Sequence, residues 1–259
     1  MNEKCNCWLK GMIDGDGYTD ERHVEIYNSS ESILKHVVIS LKKLVSESRI
    51  KIDIYAEIPQ KHLISKWSKI LNIPHENFKI RKNTSPWKPR TEKIRIRVSS
   101  KELVTILNRE QVHPKQYLSG LFDAEASVDI KGYIEFKQLA KKKGKNLVND
   151  VFGMLNEMKI KTTEPRIKND RNIKKDIYIY VKDLKKFQKD IGFSDISKKI
   201  KLTNIIRIKS VNKTPNISDI KRLLDNDKTL WEIMSELNSP YHKIRYLLKN
   251  NHLTVRYTR

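Results

Sequence analysis

The feature that most constrains the fold of this chain is a segment that occurs twice. WLKGMIDGDGYTD, starting at Trp8, returns as YLSGLFDAEASVD, starting at Tyr117. Leu9, Gly11, Met12, Ile13, Asp14 and Asp16 align with Leu118, Gly120, Leu121, Phe122, Asp123 and Glu125, so the copies lie 109 residues apart, from Asp16 to Glu125. An internal repeat at this interval implies two similar halves. A length of 259 residues suits one or two domains, and 38% hydrophobic residues with only 8 Gly and 8 Pro suits a folded chain.

Each copy has helical periodicity. At about 100° per residue, Leu9, Met12 and Ile13 form one apolar face with Gly11 and Gly15 nearly opposite, and Leu118, Leu121 and Phe122 oppose Gly120 and Ala124 in the same way. Small residues at i and i+4 let two helix backbones approach closely, although an interior Gly costs up to ~1 kcal/mol relative to Ala. The two helices are therefore expected to pack through their small faces, each burying its apolar face in its own half.

If they run parallel, their C-terminal ends meet and bring Asp16 near Glu125. Acids are unfavourable at that end of a helix, which carries partial negative charge, and two neighbouring carboxylates also repel. A divalent cation removes both penalties, and hard cations such as Mg²⁺ take carboxylate, phosphate and water oxygens. Two plainer readings cover less. Asp-Gly is a turn former, yet Ala124-Glu125-Ala126 is a poor turn signal while the acid persists. DGDGYTDERHVE resembles a calcium loop, but Tyr18 and Thr19 stand where an acid and a glycine are needed.

The charge balance points to a polyanionic partner. Lys and Arg number 53 against 31 Asp and Glu, a formal net charge of +22 with a pI near 9.8. Nucleic acid is the common partner that makes such charge useful, through release of condensed counterions. Lysine-rich composition from AT-rich coding is the competing source of the excess. No apolar run reaches the roughly 18 residues of a membrane span and no secretory signal opens the chain, so a cytoplasmic location and no membrane partner are expected. Cys5 and Cys7 are too close for an ordinary disulfide and lack a second pair for zinc, so they are read as reduced thiols.

At these residues the chain resembles the LAGLIDADG homing endonucleases of the single-chain, two-motif type. LKGMIDGDG agrees with the nine-letter motif at six positions and LSGLFDAEA at five. VEIYNSSESIL, EKIRIRVSSKEL and FQKDIGFSDISKKIKL are also similar to the family, and the resemblance covers roughly residues 5 to 205. It implies an α+β fold of two pseudo-symmetric αββαββα units forming a saddle over double-stranded DNA, and a monomeric enzyme. It further implies a staggered double-strand cut, with Asp16 and Glu125 sharing two or three divalent ions, Mg²⁺ being expected, that activate water and stabilise the leaving oxygen. Asp14 and Asp123 look structural. Asn28 in the first half and Lys137 with Gln138 in the second are the best matches for the polar residues around the metals. Lys10 departs from the family's usual small residue.

The strands read consistently with this. EKIRIRVSS alternates Lys93, Arg95 and Arg97 with Ile94, Ile96 and Val98, so one face packs and the other meets phosphates or base edges. Arg166 and Lys168 join the same DNA-facing set. KIDIYAEI and KDIYIYV alternate similarly, and Lys141 to Lys145 read as a loop following the DNA backbone.

The expected domains are 1–110 and 111–205 for the two halves, a linker at 206–216, and an all-α module at 217–259. In the module, Ile220, Leu223 and Leu224 suggest one helix, and Leu230, Ile233, Met234 and Leu237 a second capped by Thr229. After the break at Asn238-Ser239-Pro240, Tyr241, Ile244 and Leu248 line a third, with His242, Lys243, Arg245 and Lys249 outward. This is a helix-turn-helix pattern, placing its last helix in the major groove. LTVRYTR offers a strand-like wing. A site-specific, Mg²⁺-dependent DNA endonuclease is the leading reading. A non-cleaving DNA-binding transcription regulator and an intron RNA maturase, with intron RNA as partner, are the alternatives on the same fold.

Overall fold

The computed structural model describes residues 3–83, 92–109, 112–169 and 175–256, and their side chains except those of residues 3–6, 109, 168 and 169. It is a mixed α+β protein that divides into two compact units, Met1–Glu125 with Ile191–Ile196, and Ala126–Asp190 with Ser197–Arg259. The second motif helix thus belongs with the first, because it packs along it, and the division falls at Glu125 where the repeat alone suggested residue 110. No helix among the described residues is long and apolar enough to cross a membrane.

In the first unit the order is α1 (Glu3–Asp16), β1 (Gly17–Thr19), β2 (His23–Asn28), α2 (Glu31–Lys42), β3 (Ile50–Ala56), α3 (His62–Leu71), β4 (Phe78–Lys82), β5 (Lys93–Ser99), α4 (Lys101–Arg109) and α5 (Pro114–Glu125). The sheet order is β1-β2-β5-β3-β4. Its pairs are antiparallel except β3 with β4, which run parallel through the α3 crossover. The helix–strand pair α3–β4 is an addition to the αββαββα expectation. It is stabilised locally by the amphipathic α3, which buries Leu63, Trp67 and Leu71.

Strand alternation divides this sheet into two faces. Val24, Ile26, Ile50, Ile52, Ile54, Ile94, Ile96 and Val98 form one, buried with Leu9, Met12 and Ile13 of α1 and Ile33, Leu34, Val37, Val38 and Leu41 of α2. Each fully buried side chain of this size contributes roughly 1.5–3 kcal/mol, which is what holds α1 in place.

The second unit contains β6 (Ala126–Asp129), β7 (Tyr133–Leu139), α6 (Lys142–Glu157), β8 (Arg166–Asn169), β9 (Lys175–Val181), α7 (Leu184–Asp190) and most of α8 (Ile196–Val211). Its sheet order, β6-β7-β9-β8, is the order of the first sheet without β4. Lys142–Lys145 begin α6 and are not the expected loop. Gly144 is required there, since a Cβ on it would overlap the Leu139 carbonyl.

Helix α8 continues to Val211, so of the segment expected as a linker over 206–216 only Asn212 to Asn216 lies outside helix. Ile208 supplies the reason: it is buried in one cluster with α9 (Ile217–Asp225), α10 (Leu230–Glu236) and α11 (Tyr241–Asn250). Thr229 caps α10 as the spacing indicated, its hydroxyl accepting from the Glu232 amide at 3.4 Å while the Glu232 carboxylate accepts from the Thr229 amide at 2.7 Å. Asn238 takes a left-handed φ of 47°, and Pro240 starts α11. Leu253–Arg256 form no strand, although the Arg256 carbonyl accepts from the Leu230 amide at 2.8 Å, and residues 257–259 lie outside the described residues.

Candidate metal and nucleic-acid site

Helices α1 and α5 approach until their backbones touch. A Cβ on Gly11 would fall on the Tyr117 carbonyl oxygen, and one on Gly120 would fall on that of Trp8. Toward the C-terminal ends the fit continues, since a Cβ on Gly15 would lie 2.6 Å from Ala124 Cβ, 3.0 Å from Glu125 Cγ and 3.8 Å from Glu125 Oε1. The small faces are therefore the interface, and Asp16 and Glu125 finish two helices that converge.

Neither helix has a basic residue in its last turn. Both acids are half-buried, and each is followed at once by a strand, β1 or β6. Gly17 allows the first of these turns, because a Cβ there would lie 2.7 Å from Ile13 and 2.8 Å from the Glu25 carbonyl.

Asn28 is brought to Asp16. Its Nδ2 donates to Asp16 Oδ2 at 3.2 Å, while its Oδ1 accepts from the amides of Ser29 (2.9 Å) and Ser30 (2.8 Å) at the start of α2. Those two amides fix which end of the Asn28 side chain faces the carboxylate.

Lys137 and Gln138 are not brought together, being neighbours on a strand and hence on opposite faces. Lys137 is exposed on the open face, 3.8 Å from Asp176. Gln138 lies on the packed face against Gly144, and its Nε2 is buried without a hydrogen-bond partner. By register Gln138 is the counterpart of Asn28: each stands two residues beyond the partner of the first strand residue, Ile26 for Gly17 and Phe136 for Ala126.

The sixth motif acids are structural supports. Asp123 is buried and accepts from Trp8 Nε1 at 2.9 Å and from the amides of Ser194 and Asp195 at 3.0 and 3.1 Å. Asp14 accepts from the Tyr117 hydroxyl at 3.0 Å and pairs with Lys10 at 3.3 Å, which gives Lys10 its place on the helix edge. Periodicity could not show these crossed bonds, although Trp8 and Tyr117 do occupy equivalent positions in the repeat.

The open face of the first sheet carries Lys51, Lys79, Arg81, Lys93, Arg95 and Arg97, with Glu25 and Asp53 among them. The three expected DNA contacts differ. Lys93 is exposed and sits 5.3 Å above the Tyr27 ring. Arg97 is 40% exposed, with Nε 3.7 Å from Glu25. Arg95 is 15% exposed and held by Asp53, Glu25 and Tyr27, so its charge is already matched within the sheet. Burial lowers its pKa, but the hydrogen bonds to Asp53 and Tyr27 outweigh it and the net shift is upward. Lys51 lies in KIDIYAEI, whose alternation the sequence shows, whereas Lys79 and Arg81 are signalled only by the alternation of FKIRK.

The open face of the second sheet is different in kind. Exposed Arg166 and Lys137 share it with Asp129, Glu135, Asp176 and the tyrosines 133, 178 and 180. The Tyr133 and Tyr180 rings pack with centroids 4.2 Å apart, tilted by 43°. Burial first, and then Asp129 for Tyr133 or Glu135 for Tyr180, raises both phenol pKa values. The Lys168 side chain lies outside the described residues. On α11, His242, Arg245 and Lys249 are exposed, whereas Lys243 is not part of that outward set: its ammonium donates to the Asn212 carbonyl.

Among the described residues no group of three His, Cys, Asp or Glu side chains is placed to hold a metal. Two carboxylates with an amide beside one of them still fit a hard cation that keeps water and phosphate oxygens in its remaining positions.

No curated protein matches the chain. Among solved structures, full-length DUF199/WhiA from Thermatoga maritima has a TM-score of 0.50 at 15% identity, covering 97% of this chain and 92% of that one. The homing endonuclease I-DmoI, in complex with DNA and Mn, has a TM-score of 0.46 at 21% identity, covering 73% of this chain and 97% of that one. I-DmoI in complex with DNA and Ca has a TM-score of 0.46 at 20% identity, covering 73% and 89%. The model of the LAGLIDADG-like domain matches residues 3–109 and 113–192. With both motif helices, both sheets and most of the chain inside that match, this protein belongs to the family of LAGLIDADG-like domains.

Proposed function

We propose that the protein is a site-specific endonuclease of double-stranded DNA, acting as a monomer, in which Asp16 and Glu125 hold Mg²⁺. The repeats at 1–110 and 111–205 supply the two halves of its DNA-binding surface. One observation carries the reading: α1 and α5 are packed through Gly11, Gly15 and Gly120 so that two acids converge where neither helix offers a cation. Two carboxylates brought to one place, one of them oriented by Asn28, are the oxygen donors that a hard divalent cation takes.

When bound, the ion supplies Lewis-acid polarisation of the scissile phosphate and a water of lowered pKa. The chain supplies position. The two helix ends set the separation of the carboxylates, and Asn28 restricts the orientation of Asp16 before substrate arrives. Preorganisation of this kind spares the reorganisation that would otherwise be needed in the transition state.

The test is cleavage of duplexes selected from a randomised library in Ca²⁺ and then moved to Mg²⁺, with wild type and Asp16→Asn side by side. A discrete staggered double-strand cut by wild type alone is expected. Equal cutting by Asp16→Asn removes that residue from the site. Selected binding with no cut by either protein favours the second reading, a non-cleaving DNA-binding regulator, which the firmly attached α9–α11 module also suits.

A further inference from the structure

The α9–α11 module is fastened to the second sheet. Ile130, in the β6–β7 turn, packs against the same core that buries Ile208 of α8. Lys209 reaches back from α8, its ammonium donating to the Gly132 carbonyl at 2.8 Å, and its side chain fills the space where a Gly132 Cβ would lie. Gly132 has φ +90°, a backbone conformation that favours glycine. The connecting residues are pinned as well. Fully buried Ser239 donates to the Lys213 carbonyl at 2.6 Å, and Lys243 donates to that of Asn212. A segment from Asn212 to Asn216 held at its first two residues cannot act as a swinging tether.

The outward stripe of α11 is His242, Arg245, Tyr246 and Lys249, at i, i+3, i+4 and i+7, all exposed. Tyr246 keeps 65% of its surface in solvent although Ile244 and Leu248 beside it are fully buried. The helix YHKIRYLLKN contains no acid, while α9 and α10 carry Asp219, Asp225, Glu232 and Glu236. Within the module the cationic pole is thus α11, and its charge complements a polyanion. The element follows α10 after a short turn, the order in which a recognition helix enters the major groove.

We propose that this stripe reads duplex DNA, with Arg245 and Tyr246 as base-contacting residues, at one fixed helical phase from the DNA contacted by the second sheet. The proposal rests on the DNA-binding part of the reading above and not on cleavage. Rigid attachment means that the spacing between inner and outer contacts is set by the protein and cannot be adjusted by the chain.

The full chain and the double variant Arg245→Ala/Tyr246→Ala are each put through selection of binding sites from a randomised duplex library in Ca²⁺, with thermal melting to check that both are folded. Wild type is expected to enrich an inner and an outer sequence block at one spacing. The variant is expected to enrich only the inner block and to bind the wild-type site at least ~10-fold more weakly. Inserting about five base pairs between the blocks should cost wild type the same factor, and about ten should recover part of it, as one helical turn restores the phase. Outer blocks at variable spacing, or indifference to the five-pair insertion, overturn the rigid phase. A single block unchanged in the variant overturns the α11 surface while leaving the endonuclease reading intact. A single block lost in the variant and indifferent to Lys137→Ala/Arg166→Ala overturns the two-surface proposal, and with it the proposed DNA-binding role of the second sheet.

Discussion

The Trp8 indole donates to the buried carboxylate of Asp123 at 2.9 Å, across the helix pair, and its counterpart Tyr117 returns the bond to Asp14 at 3.0 Å. Each repeat thus supplies an aromatic donor to the other's acid, and the pairing fixes the rotation of one helix against the other. The two bonds are not equal, because Asp14 is about a third exposed. Trp8→Phe should destabilise the fold by ~1–3 kcal/mol, the cost of a buried acceptor losing a donor, while Tyr117→Phe should cost less than ~1 kcal/mol. Urea unfolding of the two variants gives the comparison, and equal losses would contradict it.

The glycines on the helix faces should respond oppositely to the same substitution. Gly11→Ala and Gly120→Ala each place a methyl on a carbonyl of the facing helix, and several kcal/mol of stability should be lost as the helices separate. Gly153, in α6, has nothing within 4 Å of a Cβ position, so Gly153→Ala should stabilise by ~0.5–1 kcal/mol. Thermal unfolding of the three variants in parallel separates crowding from helix propensity.

Asn28→Ala removes the donor that orients Asp16 and should slow cleavage about 10–100-fold, the range found for outer partners of metal ligands. Titration of Mg²⁺ in the cleavage assay should show a raised requirement. An unchanged Mg²⁺ dependence would make Asn28 a support for α2 alone.

On the basic face, Arg97 and Arg95 should part company. Arg97→Ala or Lys93→Ala should reduce the slope of log affinity against log salt by roughly one each, as expected for a phosphate contact. Arg95→Ala should change the slope little and lower stability, since it removes one of the two arginines that hold Asp53, which is only 9% exposed and keeps Arg81 at 2.8 Å. Binding isotherms over a salt series, with melting curves, read both quantities.

His36 stacks on Trp8 at 3.8 Å, and burial, assisted by Lys43, lowers its pKa below 6.5. The folded state therefore binds fewer protons than the unfolded state between the lowered value and 6.5. Stability is fully present above pH 6.5 and falls as the pH drops through that window. His36→Phe should flatten this part of the stability profile, checked by melting between pH 5 and 8. An identical slope in wild type and variant would locate the pH dependence elsewhere.

Local pattern made much of this protein legible. Helical spacing marks Leu9, Met12 and Ile13 and their counterparts, the glycine faces follow from the same geometry, and strand alternation separates Ile94, Ile96 and Val98 from Lys93, Arg95 and Arg97. Thr229 and Pro240 mark helix ends by their own chemistry. These features depend on residues within one or two turns of each other, so the sequence by itself determined the elements and their buried faces.

Tertiary structure decided which polar partner each exposed-face residue obtains. Arg95 is matched by Asp53, 42 positions away, and Trp8 by Asp123, 115 away. Lys243 turns from the outward set to Asn212, and the lysines at 142–145 become a helix start because Gly144 fits under Leu139. The added parallel strand β4 and the continuation of α8 to Val211 have the same origin, a neighbouring surface that accepts them. Periodicity is a property of the chain's own geometry, whereas a hydrogen bond or ion pair between distant positions exists only once packing has brought its two ends together.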